Sequence, residues 1–131
     1  MTRNSAPILI IDDDADIRDV MKIILETSGY RVSVAADGLE ALEQLQNGAP
    51  PVMILLDLMM PRMDGEQFLK QICGSRFAKI PVVIMSGHLA GQKNASQFGS
   101  AGCLKKPVEF DELLKTVRRY APVGSNDDAH L

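Results

Sequence analysis

The sequence lacks the features that mark secreted, membrane and nucleic-acid-binding proteins. Its two cysteines, Cys73 and Cys103, are too few for a disulfide framework and do not indicate an oxidising compartment. Its apolar runs are far shorter than the roughly 20 residues of a membrane-spanning helix, and the first of them, Ile8–Ile11, is too short for a signal peptide. A net charge of −3 provides no broad basic surface for nucleic acid. We therefore expect a cytoplasmic protein that binds neither membranes nor nucleic acid.

The composition is that of one globular domain. Hydrophobic residues make up 46% and charged residues 24% of the 131 positions, which is enough apolar material for a real core. We predict a single domain over residues 1–120 and a polar, slightly acidic tail or linker stub over residues 121–131.

Short apolar runs alternate along the chain with helical patterns. A run without a polar break, such as Val52–Leu56, is typical of a parallel strand buried on both faces. The predicted strands are Ile8–Ile11, Arg31–Ala35, Val52–Leu56, Val82–Met85 and Cys103–Leu104. A helix follows each strand, and the one within residues 88–101 is expected to be short and mobile. The last helix covers Glu109–Tyr120, and we expect four of its apolar residues to face the core: Phe110, Leu113, Leu114 and Val117. Five such units predict an α/β fold in which helices cover both faces of a parallel sheet.

Polar residues stand at the carboxyl ends of these predicted strands. Asp12 and Asp13 follow the first strand, Asp57 the third, Ser86 the fourth and Lys106 the fifth. Parallel strands share one carboxyl edge, which is where open α/β sheets bind their ligands. We therefore expect these side chains to meet in one pocket. A capping or turn role is the simpler explanation for Asp57 alone, but a carboxylate between two apolar runs is costly unless it is paired or binds a metal.

The residue types in this pocket indicate phosphoryl chemistry. Three carboxylates that repel one another need a cation, and all-oxygen ligands with open positions suit Mg²⁺. Lys106 and Ser86 would provide a compact positive charge and a hydroxyl group for a phosphoryl group. Asp57 could be the nucleophile, because aspartate is a known phosphoryl acceptor.

The motifs at these positions resemble those of a known family. The stretches I-L-I-I-D-D-D, L-L-D-L-M-M-P-R-M-D-G, V-V-I-M-S-G and L-K-K-P-V occur in the order and spacing of the two-component response regulator receiver domain, of the CheY-like superfamily. The resemblance covers about Ala6 to Tyr120. It implies a flavodoxin-like, doubly wound sheet of five parallel strands in the order 2-1-3-4-5, with five helices.

The resemblance also implies a role for each acidic residue. Asp57 corresponds to the residue that accepts a phosphoryl group from a histidine kinase or a histidine phosphotransfer protein. Asp13 and Asp57, with the backbone carbonyl of Met59, correspond to the Mg²⁺ ligands. Asp12 corresponds to the second member of the acidic pair, which acts on the metal largely through bound water. These assignments make Mg²⁺ the expected cofactor.

The remaining family positions concern the switch. Ser86 corresponds to the hydroxyl residue that moves toward the phosphoryl group, and Lys106 to the lysine that pairs with it. The Lys106–Pro107 bond is often cis in the family. Cys103 stands where the family usually has an aromatic switch residue, so the usual swing of an aromatic ring is not available here. We expect Cys103 to be a small core residue rather than a redox sensor.

Three functions are compatible with these residues. The favoured one is a receiver that changes its affinity for an unknown downstream protein when Asp57 is phosphorylated, and the resemblance also implies a homodimer through the last two helices. The second is a pseudo-receiver, a phosphorylation-independent interaction module. The third, a Mg²⁺-dependent phosphohydrolase, is disfavoured because Met59 and not an acid or base stands two residues after Asp57. We predict that the chain is not an enzyme, and that it is either a stand-alone regulator or a domain excised from a longer protein.

Overall fold

The computed structural model describes residues 6–48, 50–57, 65–87 and 102–121, in which strands and helices alternate as far as the fourth strand. The strands are β1 (Ile8–Ile11), β2 (Val32–Ala35), β3 (Met53–Asp57), β4 (Val82–Ser86) and β5 (Gly102–Lys105). The helices within these ranges are α1 (Ala15–Thr27), α2 (Gly38–Asn47), α3 (Gly65–Cys73) and α4 (Phe110–Tyr120). None of these helices combines the length and the hydropathy that a membrane span requires. The predicted helix within residues 88–101 lies outside the described residues.

The five strands form one parallel sheet in the order β2-β1-β3-β4-β5, which confirms the predicted topology. In the register of β1 and β3, Ile11 pairs with Leu56. On the other side of β3, Asp57 pairs with Met85 of β4. These pairings bring the carboxyl ends of the three central strands to one edge of the sheet.

The sheet is buried on both faces because its central strands carry apolar residues in every position. All four residues of β1 and all five of β3 are buried. Alternate residues point to opposite faces: Leu9 and Ile54 pack with residues of α2 and α3, whereas Ile10 and Leu55 pack with residues of α1 and α4. Full burial of one such side chain contributes about 1.5–3 kcal/mol, largely offset by lost conformational entropy. This double core holds the ends of the central strands in fixed positions.

A side-chain cap sets the start of α1, and a glycine follows its end. The carboxylate of Asp14 accepts hydrogen bonds from the backbone N–H groups of Asp16 and Ile17, at 3.0 and 3.2 Å. This is the usual arrangement of a helix N-cap. The helix ends before Gly29, whose φ of 98° favours glycine. The N-cap at Asp14 therefore fixes the loop that joins β1 to α1, and this loop contains Asp12 and Asp13.

Two predicted core residues are exposed in the structure. Cys103 lies on β5, an edge strand in which only Leu104 is buried. Phe110, predicted to face the core, is 58% exposed. It is the first residue of α4, and that helix instead buries Leu113 and Val117. The predictions for Cys103 and Phe110 were therefore wrong, because an edge strand and a helix terminus have core on fewer sides than a central element.

Candidate functional site

Three carboxylates meet at the carboxyl edge of the sheet. One oxygen each from Asp12, Asp13 and Asp57 lies within 4.8 Å of the others. Asp57 is the last residue of β3, and Asp12 directly follows the neighbouring β1. Asp12 is 0% and Asp57 4% exposed, whereas Asp13 is exposed. The structure therefore brings together the three carboxylates that were expected to meet in one pocket, two of them buried and one exposed.

Lys106 brings a positive charge into this cluster from the far end of the chain. Its Nζ lies 3.2 Å from Asp12 Oδ2 and 3.3 Å from Asp57 Oδ2. Burial of the ammonium lowers the pKa of Lys106. The charges of Asp12 and Asp57, and the hydrogen bonds to them, raise that pKa by more than burial lowers it, so the pKa lies above its usual value. Lys106 is therefore a cation at neutral pH. The Lys106–Pro107 bond is cis, as expected from the resemblance.

Asp12 is held at each of its polar atoms. Its backbone N–H donates to the carbonyl of Ala35 at 3.1 Å. Its Oδ1 accepts from the backbone N–H of Asp14 at 2.9 Å, and its Oδ2 accepts from Lys106. Its carbonyl oxygen accepts from Nη1 of Arg18 at 2.8 Å. Sequence reasoning missed Arg18, although its position four residues after the N-cap Asp14 places a long cation one turn from the acidic loop.

Of the other two predicted site residues, the structure describes the backbone of Ser86 but not Met59. Ser86 is the last residue of β4, and its backbone pairs with Lys105 of β5. It therefore lies at the same edge of the sheet as the carboxylates. Met59, whose backbone carbonyl was predicted to bind Mg²⁺, lies outside the described residues.

The described residues fit a magnesium ion. Oxygen ligands lie about 2.1 Å from Mg²⁺, so adjacent ligands of an octahedron are about 3 Å apart and opposite ones about 4 Å. Three carboxylate oxygens within 4.8 Å of one another need only small shifts to reach these separations. The three carboxylates and Lys106 together carry a charge of −2, which a divalent cation balances. Asp13, being exposed, leaves the metal position accessible to water and to a phosphate oxygen.

Two grooves, of about 380 and 420 Å³, lie at the opposite edge of the sheet. They share Leu45, Gly48 and Pro51, and they extend to Pro7 and Pro81, which directly precede β1 and β4. The carboxylates line neither groove. A phosphoryl group and a metal ion need a small polar cleft, so we place the site at the carboxylates and not in these larger grooves.

Comparisons with known proteins agree with this geometry. The family model of the response regulator receiver domain matches residues 8–118. The chain is 32% identical over 127 residues to the response regulator MprA of Mycobacterium tuberculosis, which covers 95% of this chain and 54% of that protein. It is 33% identical to the chemotaxis protein CheY4 of Vibrio cholerae, whose structure matches with a TM-score of 0.80 over 88% of this chain and 98% of that one.

A third relative bears on the metal. The receiver domain of the sensor histidine kinase PA1611 of Pseudomonas aeruginosa is 25% identical, with a TM-score of 0.80 over 88% of this chain and 96% of that one. It was solved with a magnesium ion coordinated in its active-site cleft. This chain spans about half the length of the curated relatives it matches. The topology, the acidic cluster and the match over residues 8–118 lead to one conclusion: the chain belongs to the family of response regulator receiver domains of two-component signalling.

Proposed function

We propose that Asp57 accepts a phosphoryl group from a phosphohistidine, in a Mg²⁺-dependent reaction, and that this phosphorylation switches the binding of a downstream protein. The donor is a histidine kinase or a histidine phosphotransfer protein. The observation that carries this proposal is the position of the Asp57 carboxylate, buried at the end of β3, with Oδ2 3.3 Å from Lys106 Nζ and an oxygen within 4.8 Å of Asp12 and Asp13. The two exposed free cysteines suit a reducing compartment, so we place this activity in the cytoplasm.

In the proposed transfer, an Asp57 oxygen attacks phosphorus as the bond from phosphorus to the imidazole nitrogen breaks. The electron pair of that bond remains on the imidazole. Asp12, Asp13 and Asp57 would hold the magnesium ion, which neutralises charge on the phosphoryl oxygens when bound. Lys106 already lies between Asp12 and Asp57. It can therefore exchange a carboxylate contact for one with a phosphoryl oxygen without a large movement.

The switch would use the carboxyl ends of β4, which pairs with the strand of Asp57, and of β5, the next strand beyond it. Asp57 pairs with Met85, so Ser86 lies one residue further along the neighbouring strand, at the edge where the phosphoryl group arrives. We propose that the Ser86 hydroxyl and Lys106 bind the new phosphoryl oxygens and draw the loops after β4 and β5 into a second arrangement. The phosphoryl group would then shift a two-state equilibrium through its preference for one state. The implied homodimer would involve residues 88–101 in part, which lie outside the described residues.

An apolar surface beside the site supports docking of a helical donor. Val20 on α1 is 45% exposed and Phe110 on α4 is 58% exposed. They border a groove of about 230 Å³ whose other walls include Ile17, Met21 and Leu113. Both helices begin at the carboxyl edge of the sheet, so this surface adjoins the acidic cluster. A donor that delivers a phosphohistidine to Asp57 must contact the surface around it, and an amphipathic helix suits an apolar groove of this kind.

The experiment that tests the proposal is intact mass spectrometry after incubation with acetyl phosphate, with and without Mg²⁺. The variants are Asp57→Asn and, as a control, Asp19→Asn, which changes an exposed carboxylate of α1. We expect wild type and Asp19→Asn to gain one phosphoryl group only with Mg²⁺, and Asp57→Asn to gain none. A gain of the same size in Asp57→Asn would show that another residue is the acceptor.

A pseudo-receiver is the second candidate, and the exposed thiol of Cys103 at the usual aromatic position favours it. Such a module would bind its partner in the same way with or without phosphate. It would bind Mg²⁺, since the acidic cluster is intact, but would gain no phosphoryl group. The same mass measurement, combined with a Mg²⁺ titration, therefore separates the two functions. Neither function makes the chain an enzyme that turns over a diffusible substrate.

A further inference from the structure

We propose that Arg18 is a positioning residue for the metal ligand Asp13. It acts through the carbonyl group of Asp12, to which it donates a hydrogen bond, and it does not touch the metal itself. The inference rests on the proposed function, because it assumes that the carboxylates of Asp12, Asp13 and Asp57 hold Mg²⁺.

The contact itself is short and comes from a rigid element. Nη1 of Arg18 lies 2.8 Å from the carbonyl oxygen of Asp12. The backbone N–H of Arg18 donates to the carbonyl of Asp14 at 3.0 Å, so the residue is already in the regular part of α1. Long side chains on a helix run back toward its N-terminus, and this direction takes the guanidinium of the half-buried Arg18 to the loop after β1. The bond therefore links the helix to the acidic loop.

The peptide plane transmits this restraint to Asp13. The carbonyl of Asp12 and the N–H of Asp13 belong to one planar unit. A guanidinium that fixes the carbonyl thus fixes the direction in which the chain enters Asp13. The side chain of Asp13 is exposed, and within the described residues it makes no hydrogen bond of its own. Its carboxylate is therefore placed by its backbone, in contrast to Asp12, whose carboxylate is held at both oxygens.

Simple electrostatics predicts the opposite change in Mg²⁺ affinity when Arg18 is removed. The direction of that change therefore distinguishes a positioning role for Arg18 from an effect of its charge alone. A cation near three carboxylates repels Mg²⁺, and its removal should strengthen metal binding slightly. If Arg18 instead positions Asp13, its removal should weaken metal binding. Partners that orient metal ligands from outside the coordination sphere typically contribute about 10–100-fold to metal affinity.

The test is isothermal titration of the full chain with Mg²⁺, in wild type and in Arg18→Met, Arg18→Lys and Lys22→Met. Arg18→Met removes both the positive charge and the hydrogen-bond donors, whereas Arg18→Lys keeps the charge and replaces the guanidinium donors with those of an ammonium group. Lys22 is a half-buried cation one turn further along α1, with no contact to Asp12 in the described part of the chain, so Lys22→Met measures the effect of lost charge alone. We expect Arg18→Met to bind Mg²⁺ about 10-fold more weakly than wild type. Arg18→Lys should recover most of that loss, and Lys22→Met should bind no more weakly than wild type.

Several results would overturn the inference. They are unchanged or tighter binding in Arg18→Met, an equal loss in Arg18→Lys, or an equal loss in Lys22→Met. Thermal unfolding in EDTA shows whether each variant is folded, and Arg18→Gln replaces Arg18→Met if the latter is not. If wild type binds Mg²⁺, Asp13→Asn abolishes binding and Arg18→Met binds like wild type, the inference fails while the proposed function stands. If wild type itself binds no Mg²⁺, both fail.

Discussion

At the scale of single residues, the site depends on how each polar atom is partnered. Asp12 has no free polar atom within the described structure, and Lys106 bridges two carboxylates that would otherwise repel each other. Burial makes these contacts strong, because few waters screen them. The same burial makes an unpartnered polar atom costly wherever one occurs.

Tyr30 is such a residue, and we predict that Tyr30→Phe stabilises the protein. Tyr30 is 4% exposed, and its hydroxyl has no hydrogen-bond partner within the described residues. An unsatisfied buried polar group costs about 1–3 kcal/mol. We therefore expect the free energy of unfolding to rise by about 1 kcal/mol in Tyr30→Phe, measured by urea denaturation. Tyr120→Phe, the control at the half-buried second tyrosine, should show no such gain.

The pH dependence of this difference follows from the pKa of Tyr30. Burial raises that pKa above 10.0, partly opposed by the charge of Arg118. The folded state therefore holds the phenol proton more tightly than the unfolded state does. The stability that this provides is complete below the unfolded pKa and is lost as pH rises through the folded pKa. Above about pH 10 the advantage of Tyr30→Phe over wild type should increase, and a constant or shrinking difference would contradict the assignment.

At the scale of helices, α1 and α4 each expose a large apolar side chain, Val20 and Phe110, near the carboxyl edge of the sheet. The sequence pattern predicted that Phe110 faces the core, because its spacing from Leu113 and Leu114 is helical. Periodicity gives the face of a helix but not how far the sheet extends beneath it. At the helix start the same face passes beyond the core and becomes surface, which is why the exposed groove could not be predicted.

We predict that Val20→Gln with Phe110→Ser slows phosphorylation by a donor protein. Buried aromatic anchors dominate binding at interfaces, and truncation of one or two commonly costs about 10-fold or more. The rate is measured with any phosphorylated histidine kinase found to phosphorylate the wild-type chain. Leu39→Ser is the matched control, since Leu39 is 44% exposed on α2, outside this groove.

The small donor acetyl phosphate separates docking from chemistry in these variants. It needs no protein surface, so its reaction should proceed in the double variant as in wild type. Both substituted residues are exposed, and the free energy of unfolding should change by no more than about 1 kcal/mol. An equal loss of rate with acetyl phosphate and with the kinase would mean that the substitutions disturb the acidic site and that the groove is not a docking surface.

At the scale of the whole molecule, the features that follow from strand order and direction could be predicted from the sequence. Alternating strands and helices predicted the parallel sheet, and the shared carboxyl edge predicted that Asp12, Asp13, Asp57 and Lys106 meet, although Lys106 is 94 residues from Asp12. The bond from Arg18 depends on the path of a side chain, and the exposure of Cys103 depends on which residues of the edge strand β5 are covered by neighbouring elements, so neither could be predicted from the sequence. Such details follow from three-dimensional packing and leave no periodic signal.

The carboxylates of the acidic cluster repel one another, and a bound metal ion should relieve this repulsion. We therefore predict that Mg²⁺ stabilises the whole domain. In the part of the chain that the structure describes, three carboxylates lie within 4.8 Å of one another and the ammonium of Lys106 contacts two of them, so that a net repulsion disfavours the metal-free folded state. A ligand that binds only the folded state adds RT ln(1 + [L]/Kd), or about 2.7 kcal/mol at 100 times Kd. Thermal unfolding in saturating Mg²⁺ should therefore occur several degrees higher than in EDTA at equal ionic strength.

Asp13→Asn tests whether this stabilisation comes from the acidic cluster. The substitution removes one of the repelling charges and one proposed metal ligand at an exposed position. We expect the variant to unfold at a higher temperature than wild type in EDTA, because the remaining charges repel less. It should then gain little from Mg²⁺, so that the order of stability of the two proteins reverses when the metal is added. An equal Mg²⁺-induced rise in the unfolding temperature of both proteins would place the stabilising ion elsewhere. If the ion binds at the acidic cluster, the loss of a ligand there must reduce the stabilisation that it provides.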